Sequence, residues 1–353
     1  MIQTGAKTED LMTKKIRIGN VFIGGGEPIA IQSMTNTDTM DTESTVKQII
    51  ELEDAGCEII RVAAYDLESA ANIRNIKDRT SIPIVADVHF DFRIAIKAIE
   101  CGADKVRINP GNIGSEDNIR KVADCAKMHK VPIRVGANTG SLSKRHIETE
   151  KSEALVTSAL DNIRVLEKYG FNDIVVALKA SDAVNTVKAY EIISKIVDYP
   201  LHIGVTEAGT ERNSLIKSAI GIGSLLLNNI GDTIRVSMSD NPVKEIYAAK
   251  DILQFSGKRR FRPEIISCPT CGRTRIDLIG LVKEVEEKLK DIKKPIKVAV
   301  MGCVVNGPGE AGDADMGVAG GTDEGLIFLR GKVIKKVEYS QIADELKTLA
   351  EEY

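Results

Sequence analysis

The chain has 353 residues, 43% of them hydrophobic and 28% charged; that is apolar surface for a full core and more chain than one domain usually takes, which excludes disorder and favours two domains. Its 48 basic and 51 acidic residues nearly cancel to a net charge of −3, which excludes a general nucleic-acid or anionic-membrane binder and requires charge to be read by position. Six cysteines in a chain of this length fit buried thiols or metal ligands better than a disulfide framework.

The first twenty residues mix both signs of charge before any apolar run, which is not the layout of a secretory signal. The most apolar helix candidate, SLIKSAIGIGSLLLNNIG, is interrupted by Lys, Ser and Gly and cannot serve as a membrane span. A cytoplasmic protein is expected. IRIGNVFIGGG reads as a hairpin turning at Gly19 and Asn20, placed to plug the bottom of a barrel. Its three glycines open no helix and read as a plain turn rather than a phosphate loop.

A unit then recurs eight times, a short β-branched run with a polar end followed by a helical stretch. The runs begin at residues 29, 57, 83, 105, 132, 173, 201 and 232. Near-continuous apolar strands alternating with amphipathic helices imply a parallel sheet covered by helices, and eight such units over about 250 residues imply a (β/α)8 barrel, with a doubly wound open sheet as the alternative. In a barrel the C-terminal strand ends surround the site. Five of the eight contribute a cation, namely Arg61, Arg107, Arg134, Lys179 and Arg235, and the other polar groups there are Asn36, Asp87, His89, Asn109, Asn138, Thr206, Glu207 and Ser237. Five cations converging on one mouth repel each other unless an anion joins them, so a phosphate or diphosphate ester is the expected ligand. Glu207 could shuttle a proton to a leaving oxygen or orient an arginine. His89 is either a ligand-facing donor or a satisfied polar group of the core, and Asp87, on the same strand face, could orient an arginine or a substrate hydroxyl.

After the eighth helix, KRRFRPEIIS reads as a linker, giving domains over 1–255 and 264–353 with 256–263 between them. The second domain reads as a small α+β unit built of the CPTCGRT turn, a helix, a strand, a glycine-rich loop, two short strands and a closing helix. Cys268 and Cys271 share the turn and Cys303 sits in MGCVVNGPGEAGDADMG, while no histidine follows His202. A structural zinc site therefore cannot be completed within this domain. Cys57, Cys101 and Cys125 are spread over the barrel and read as buried thiols. Three cysteines with an open fourth position suit an iron-sulfur cluster. Glu310 is the candidate fourth ligand, since a carboxylate exchanges more readily than a thiolate, with Asp313 and Asp315 as rivals.

Through IQSMTNTDT, VADVHFD, RINPGNI, VTEAG, DTIRVS, SCPTCGRT and VAVMGCVVNGPGEA, nearly the whole chain resembles the bacterial 4-hydroxy-3-methylbut-2-enyl diphosphate synthases of the non-mevalonate isoprenoid pathway. The resemblance implies a barrel plus a reductase-like cluster domain in the compact two-domain form, because the interval from Asn241 to Cys268 leaves no room for an insertion domain. It implies a [4Fe-4S] cluster on Cys268, Cys271, Cys303 and Glu310. The barrel mouth would bind 2-C-methyl-D-erythritol 2,4-cyclodiphosphate and favour Glu207 as proton donor. It further implies electrons from ferredoxin or flavodoxin and a head-to-tail homodimer. The linker cations Lys258, Arg259, Arg260 and Arg262 could attract an acidic carrier or simply be solvated. Two other readings compete: a phosphate-ester lyase or aldolase with Lys179 as Schiff-base lysine and a structural metal, and a non-enzymatic iron-sulfur carrier or sensor, which leaves the five strand-end cations unexplained.

Overall fold

The computed structural model describes residues 12–138, 150–274, 276–303, 312–321 and 324–353. The chain forms two compact units that divide between Arg259 and Arg260.

The first unit opens with a hairpin, β1 (Ile16–Ile18) and β2 (Val21–Ile23). Gly19 turns it at φ 57°, and a side chain there would press on Asp104 and Pro83, so the turn needs glycine on both conformational and steric grounds. Ile16, Ile18 and Ile23 pack on Ala30, Ile59, Val85 and Val175, and the hairpin plugs the bottom of the barrel as expected. The eight sequence runs supply the eight barrel strands, β3 (Ala30–Met34), β4 (Ile59–Ala63), β5 (Ile84–Asp87), β6 (Lys105–Arg107), β7 (Ile133–Asn138), β8 (Ile174–Lys179), β9 (His202–Ile203) and β10 (Thr233–Ile234). All pairings are parallel, in the order β8-β7-β6-β5-β4-β3-β10-β9. A bridge from Val176 to Leu201 joins the two ends of that order, which closes the sheet and disposes of the open alternative.

The helices α1 (Thr42–Ala55), α2 (Leu67–Lys77), α3 (Phe92–Glu100), α4 (Glu116–His129), α5 (Lys151–Lys168), α6 (Ala183–Ile193), α7 (Glu211–Leu227) and α8 (Pro242–Phe255) alternate with the strands. Several start on an aspartate whose carboxylate accepts a first-turn N–H, as Asp41, Asp66 and Asp182 do; satisfying those orphan donors fixes each helix start just beyond a strand end. No helix among the described residues is long and apolar enough to cross a membrane.

The second unit is a five-stranded sheet, β11 (Glu264–Ser267), β12 (Lys297–Met301), β13 (Met316–Gly320), β14 (Glu324–Leu329) and β15 (Lys332–Glu338), in that order. Helices α9 (Leu278–Leu289) and α10 (Ile342–Glu352) bury Leu281, Val285, Leu289 and Leu346 against Val298, Val300, Val318 and Ile327. Strands β11 and β13 are additions to the sequence reading, which assigns these stretches to the linker end and the glycine-rich loop. The linker cations are not free either. Arg259 grips both oxygens of Glu58 at 2.7 and 3.0 Å and the carbonyl of Ile29 at 2.8 Å, Lys258 donates to Asn229 Oδ1 at 2.6 Å, and Arg260 donates to the carbonyl of Pro295 at 3.1 Å. Lys258 and Arg259 are tied within the first unit and Arg260 within the second, and Arg260 stays exposed as a solvated linker residue would.

Candidate active site

Because side chains alternate along a strand, every second residue of β4 to β10 points into the barrel. Arg61, Arg107, Arg134, Lys179 and Arg235 thereby converge on a cavity of about 190 Å³ whose wall also includes Asp87, His89, Thr206 and Ser237. Gly204 leaves the space that makes this convergence possible: a Cβ there would come within 2.4 Å of the Arg235 carbonyl and 3.1 Å of Lys179 Nζ.

Asp87 is the electrostatic pivot. Its carboxylate accepts from Arg107 at 2.9 Å and lies 3.7 Å from Arg61 Nε and 3.8 Å from His89 Nε2. Burial by itself raises a carboxyl pKa, but Arg61, Arg107 and Arg134 outweigh it and hold Asp87 at about 2. On the far side Glu245 of α8 accepts from Ser33 at 2.9 Å, from the Met238 N–H at 3.0 Å and from Arg235 at 3.4 Å. These two carboxylates face six interior cations, the five above and Lys105, whose side chain is fully buried. Burial, then the neighbouring guanidinium groups, lower Arg61 to about 10 and push Arg134 well below the usual arginine range. Burial and the same arginines push Lys179 well below the usual lysine range. Arg134 Nη1 and Arg235 Nε are buried with no hydrogen-bond partner among the described residues. Buried donors without acceptors in a cationic cavity call for an anion.

A larger hollow of about 700 Å³ shares Asp87 and His89 with the mouth, but its remaining wall is acidic and apolar, with Asp66, Glu68, Asp91, Leu67, Phe90 and Ile94. It repels the anion that the smaller cavity invites.

The expected mouth residues thus come together with four exceptions. Asn36 is exposed, and its Oδ1 accepts from Gln48 Nε2 at 2.6 Å. Asn109 is buried and spends its Oδ1 on the Gly111 N–H at 3.2 Å, capping a local turn. Asn138 ends β7, and its side chain lies outside the described residues. Glu207 is exposed beside the mouth in the left-handed region at φ 52° and forms no ion pair among the described residues. The core alternative for His89 is corrected: its side chain is 53% exposed, because the strand ends at Asp87 and carries it onto the rim. Glu245 and the buried layer of Gln32, Lys105 and His202 escape the reading of strand ends, the first because it sits on a helix and the others because they lie one or two turns of the pleat below the mouth.

In the second unit β11 and β12 run parallel, with Ser267 beside Val300, so Cys268 and Cys303 emerge at the same end of adjacent strands. Cys268 Sγ accepts the Gly302 N–H at 3.3 Å, and the Cys271 N–H donates to Thr274 Oγ1 at 3.1 Å. Nearby N–H groups, first that of Arg273, lower the Cys271 thiol toward its thiolate form. Soft sulfur donors at one end of two strands, in a unit whose sequence has no histidine, fit an iron-sulfur cluster. Of the carboxylates that follow Cys303 in sequence, Glu310 lies outside the described residues, and Asp315 accepts the Lys297 N–H at 2.8 Å at the start of β12, away from the end where Cys303 emerges. In the first unit Cys57 is buried, and desolvation pushes its thiol up to about 12; Cys101 is buried and Cys125 half-buried.

Comparisons with known proteins agree with this division. The family model described as the GcpE TIM-barrel domain matches residues 13–250, and that of the GcpE protein C-terminal domain matches residues 264–352. A relative from Caldanaerobacter subterraneus subsp. tengcongensis is 56% identical over 338 residues, 95% of each chain, and one from Clostridium perfringens is 53% identical over 342 residues, covering 96% of this chain and 98% of its own. Both are named 4-hydroxy-3-methylbut-2-en-1-yl diphosphate synthase (flavodoxin). Among solved structures, an N-acetylneuraminic acid synthetase from Leptospira borgpetersenii superposes with a TM-score of 0.50 at 16% identity, over 70% of this chain and 91% of its own. The Yersinia pestis dihydropteroate synthase does so at 0.50 and 11%, over 69% and 99%; both share the fold only. The chain belongs to the GcpE family.

Proposed function

We propose that this chain reductively opens 2-C-methyl-D-erythritol 2,4-cyclodiphosphate and removes a hydroxyl, giving (E)-4-hydroxy-3-methylbut-2-enyl diphosphate for isoprenoid synthesis. The observation that carries the reading is the cavity in which Arg61, Arg107, Arg134, Lys179 and Arg235 meet without enough carboxylate to balance them, in a chain 56% identical to a synthase of that name. Guanidinium groups pair with the diphosphate oxygens. They bind the leaving group in place and stabilise the charge that gathers on it as its carbon–oxygen bond breaks. Asp87 holds Arg61 and Arg107 in position, and His89 and Ser237 donate at the edge of the cavity.

Cys268, Cys271, Cys303 and Glu310 would hold a [4Fe-4S] cluster, which when bound would supply two electrons, one at a time, that side chains cannot store. Glu207, exposed beside the mouth, is the proton donor to the departing hydroxyl. The residues that bind the ring, Asn109 and Asn138 among them, and the domain limits of 1–255 and 264–353 belong to the same reading. So do a cytoplasmic location, flavodoxin or ferredoxin as electron donor, and a homodimer whose second copy supplies the cluster domain to the first copy's barrel.

Oxygen-free preparations should be brown, with a visible and paramagnetic signature that shifts when the cyclic diphosphate is added, and should form product with reduced flavodoxin. A colourless, iron-free and fully active preparation refutes the reading. A Glu207→Gln protein with its cluster intact should lose most turnover while binding substrate normally; unimpaired turnover removes Glu207 from the mechanism.

A further inference from the structure

Lys105 leaves β6 for the barrel interior with no exposed surface, and neither the mouth nor the thiols use it. Its one hydrogen bond among the described residues goes to Gln32 Oε1 at 3.2 Å, and no carboxylate there pairs with it. The charged groups acting on it are Arg134 from β7 and Arg61 from β4, with His202 of β9 in the same layer; Asp87, Lys179 and Arg235 line the cavity, and Glu245 of α8 lies behind Arg235. His202 has its Nδ1 2.8 Å from Thr233 Oγ1, while its Nε2 and the Nε2 of Gln32 lack partners. A lysine amine sealed among cations sheds its proton, because desolvation and like charge both oppose the ammonium; burial, then Arg134 and Arg61, push it well below the usual lysine range. Arginine has no such freedom.

We infer that diphosphate binding at the barrel mouth is accompanied by uptake of a proton from solvent onto the Lys105 amine, so that the barrel's positive charge is completed only when the anion is present. This rests on reading the mouth as a diphosphate site. The incoming anion reverses the sign of the local field, and the resulting ammonium finds an acceptor in Gln32 Oε1. His202, whose Nε2 has no partner among the described residues, faces the same layer. Affinity for the anion then falls as pH rises through the pKa that Lys105 acquires in the complex.

Calorimetric titration of the anaerobic holoenzyme with inorganic diphosphate and with the cyclic diphosphate, in buffers of different ionisation enthalpy, reads the proton count directly. The wild type should take up about one proton more than Lys105→Met or Lys105→Gln, whose binding should be correspondingly flatter with pH where the wild type loses up to about tenfold per pH unit. Thermal melts establish that the variants are folded. Should neither fold, lysine-labelled wild-type protein still reports the charge of the buried amine by nitrogen resonance with and without diphosphate. Wild-type binding with no proton uptake, or uptake that both folded variants keep in full, overturns the role of Lys105 and leaves the mouth reading standing. Failure of both anions to bind the wild type removes that reading, and this inference with it.

Discussion

The barrel and the C-terminal unit prepare their functional groups in opposite ways. In the barrel the polar groups are held before any ligand arrives: Asp87 sits against Arg61 and Arg107, Glu245 against Arg235, and closed strands carry the cations. In the C-terminal unit Cys268 and Cys303 are half-buried and Cys271 is exposed; Cys268 packs on the unit's apolar core and its Sγ accepts the Gly302 N–H, while the Cys271 N–H donates to Thr274. A preorganised cationic cavity recognises an anion at little reorganisation cost. Soft thiols on a loop derive their geometry from the metal they bind, because ligand binding and local folding are coupled.

The contrast is broken most severely at the thiols. Cys271→Ser should abolish the cluster absorbance and reduce turnover by at least about 100-fold, the level that even outer partners of a metal can reach, while diphosphate affinity measured by calorimetry stays at the wild-type value. Weakened anion binding in that variant would mean that the two sites are not separately prepared. A smaller effect is expected from Arg134→Met. Losing one charged contact to the anion, worth about 1.5–3 kcal/mol, weakens diphosphate about 10- to 150-fold. The ligand-free protein should melt no lower, since Arg134 is buried with Nη1 unpartnered and removing an unneutralised charge relieves a cost. A lowered melting temperature would place Arg134 in the scaffold as well as in the site.

All eight strands and all five mouth cations were legible in the sequence, because strand ends in a barrel are set by a period of two and by the polar residue that follows an apolar run. The layer beneath them was less legible. Lys105 opens its strand, and a charged first residue reads as a solvent-facing start; only the register that pairs Val85 with Lys105 and Arg107 with Arg134 places it inside. Gln32 and His202 carried a readable signal, since each occupies an inward position two residues from another interior group. Glu245 could not be found from strand ends, being three residues into a helix whose first turn packs behind the mouth. The strands β11 and β13 were hidden because half-buried EIIS follows a basic stretch and MGVAG is rich in small residues that carry little β signal.

The finest distinction concerns the force that holds the barrel's cations together in the absence of ligand. Asp87 has a folded-state pKa of about 2 against an ordinary 3.8. Its charged form is therefore favoured by folding, and the associated stability, about 2 kcal/mol, is fully present above the ordinary value. It is lost as pH falls from about 4 through 2. Asp87→Asn removes both the carboxylate and its titration, so the wild type should be the more stable protein near neutrality and the gap between the two melting temperatures should close across that acidic window. The same substitution leaves Arg61 and Arg107 without their shared counter-ion, and added diphosphate should then raise the variant's melting temperature by more than the wild type's, because the ligand substitutes for the missing charge. Parallel melting curves from about pH 5 to 2 would instead show that Asp87 does not neutralise the cluster, and that the arginines are held in place by packing alone.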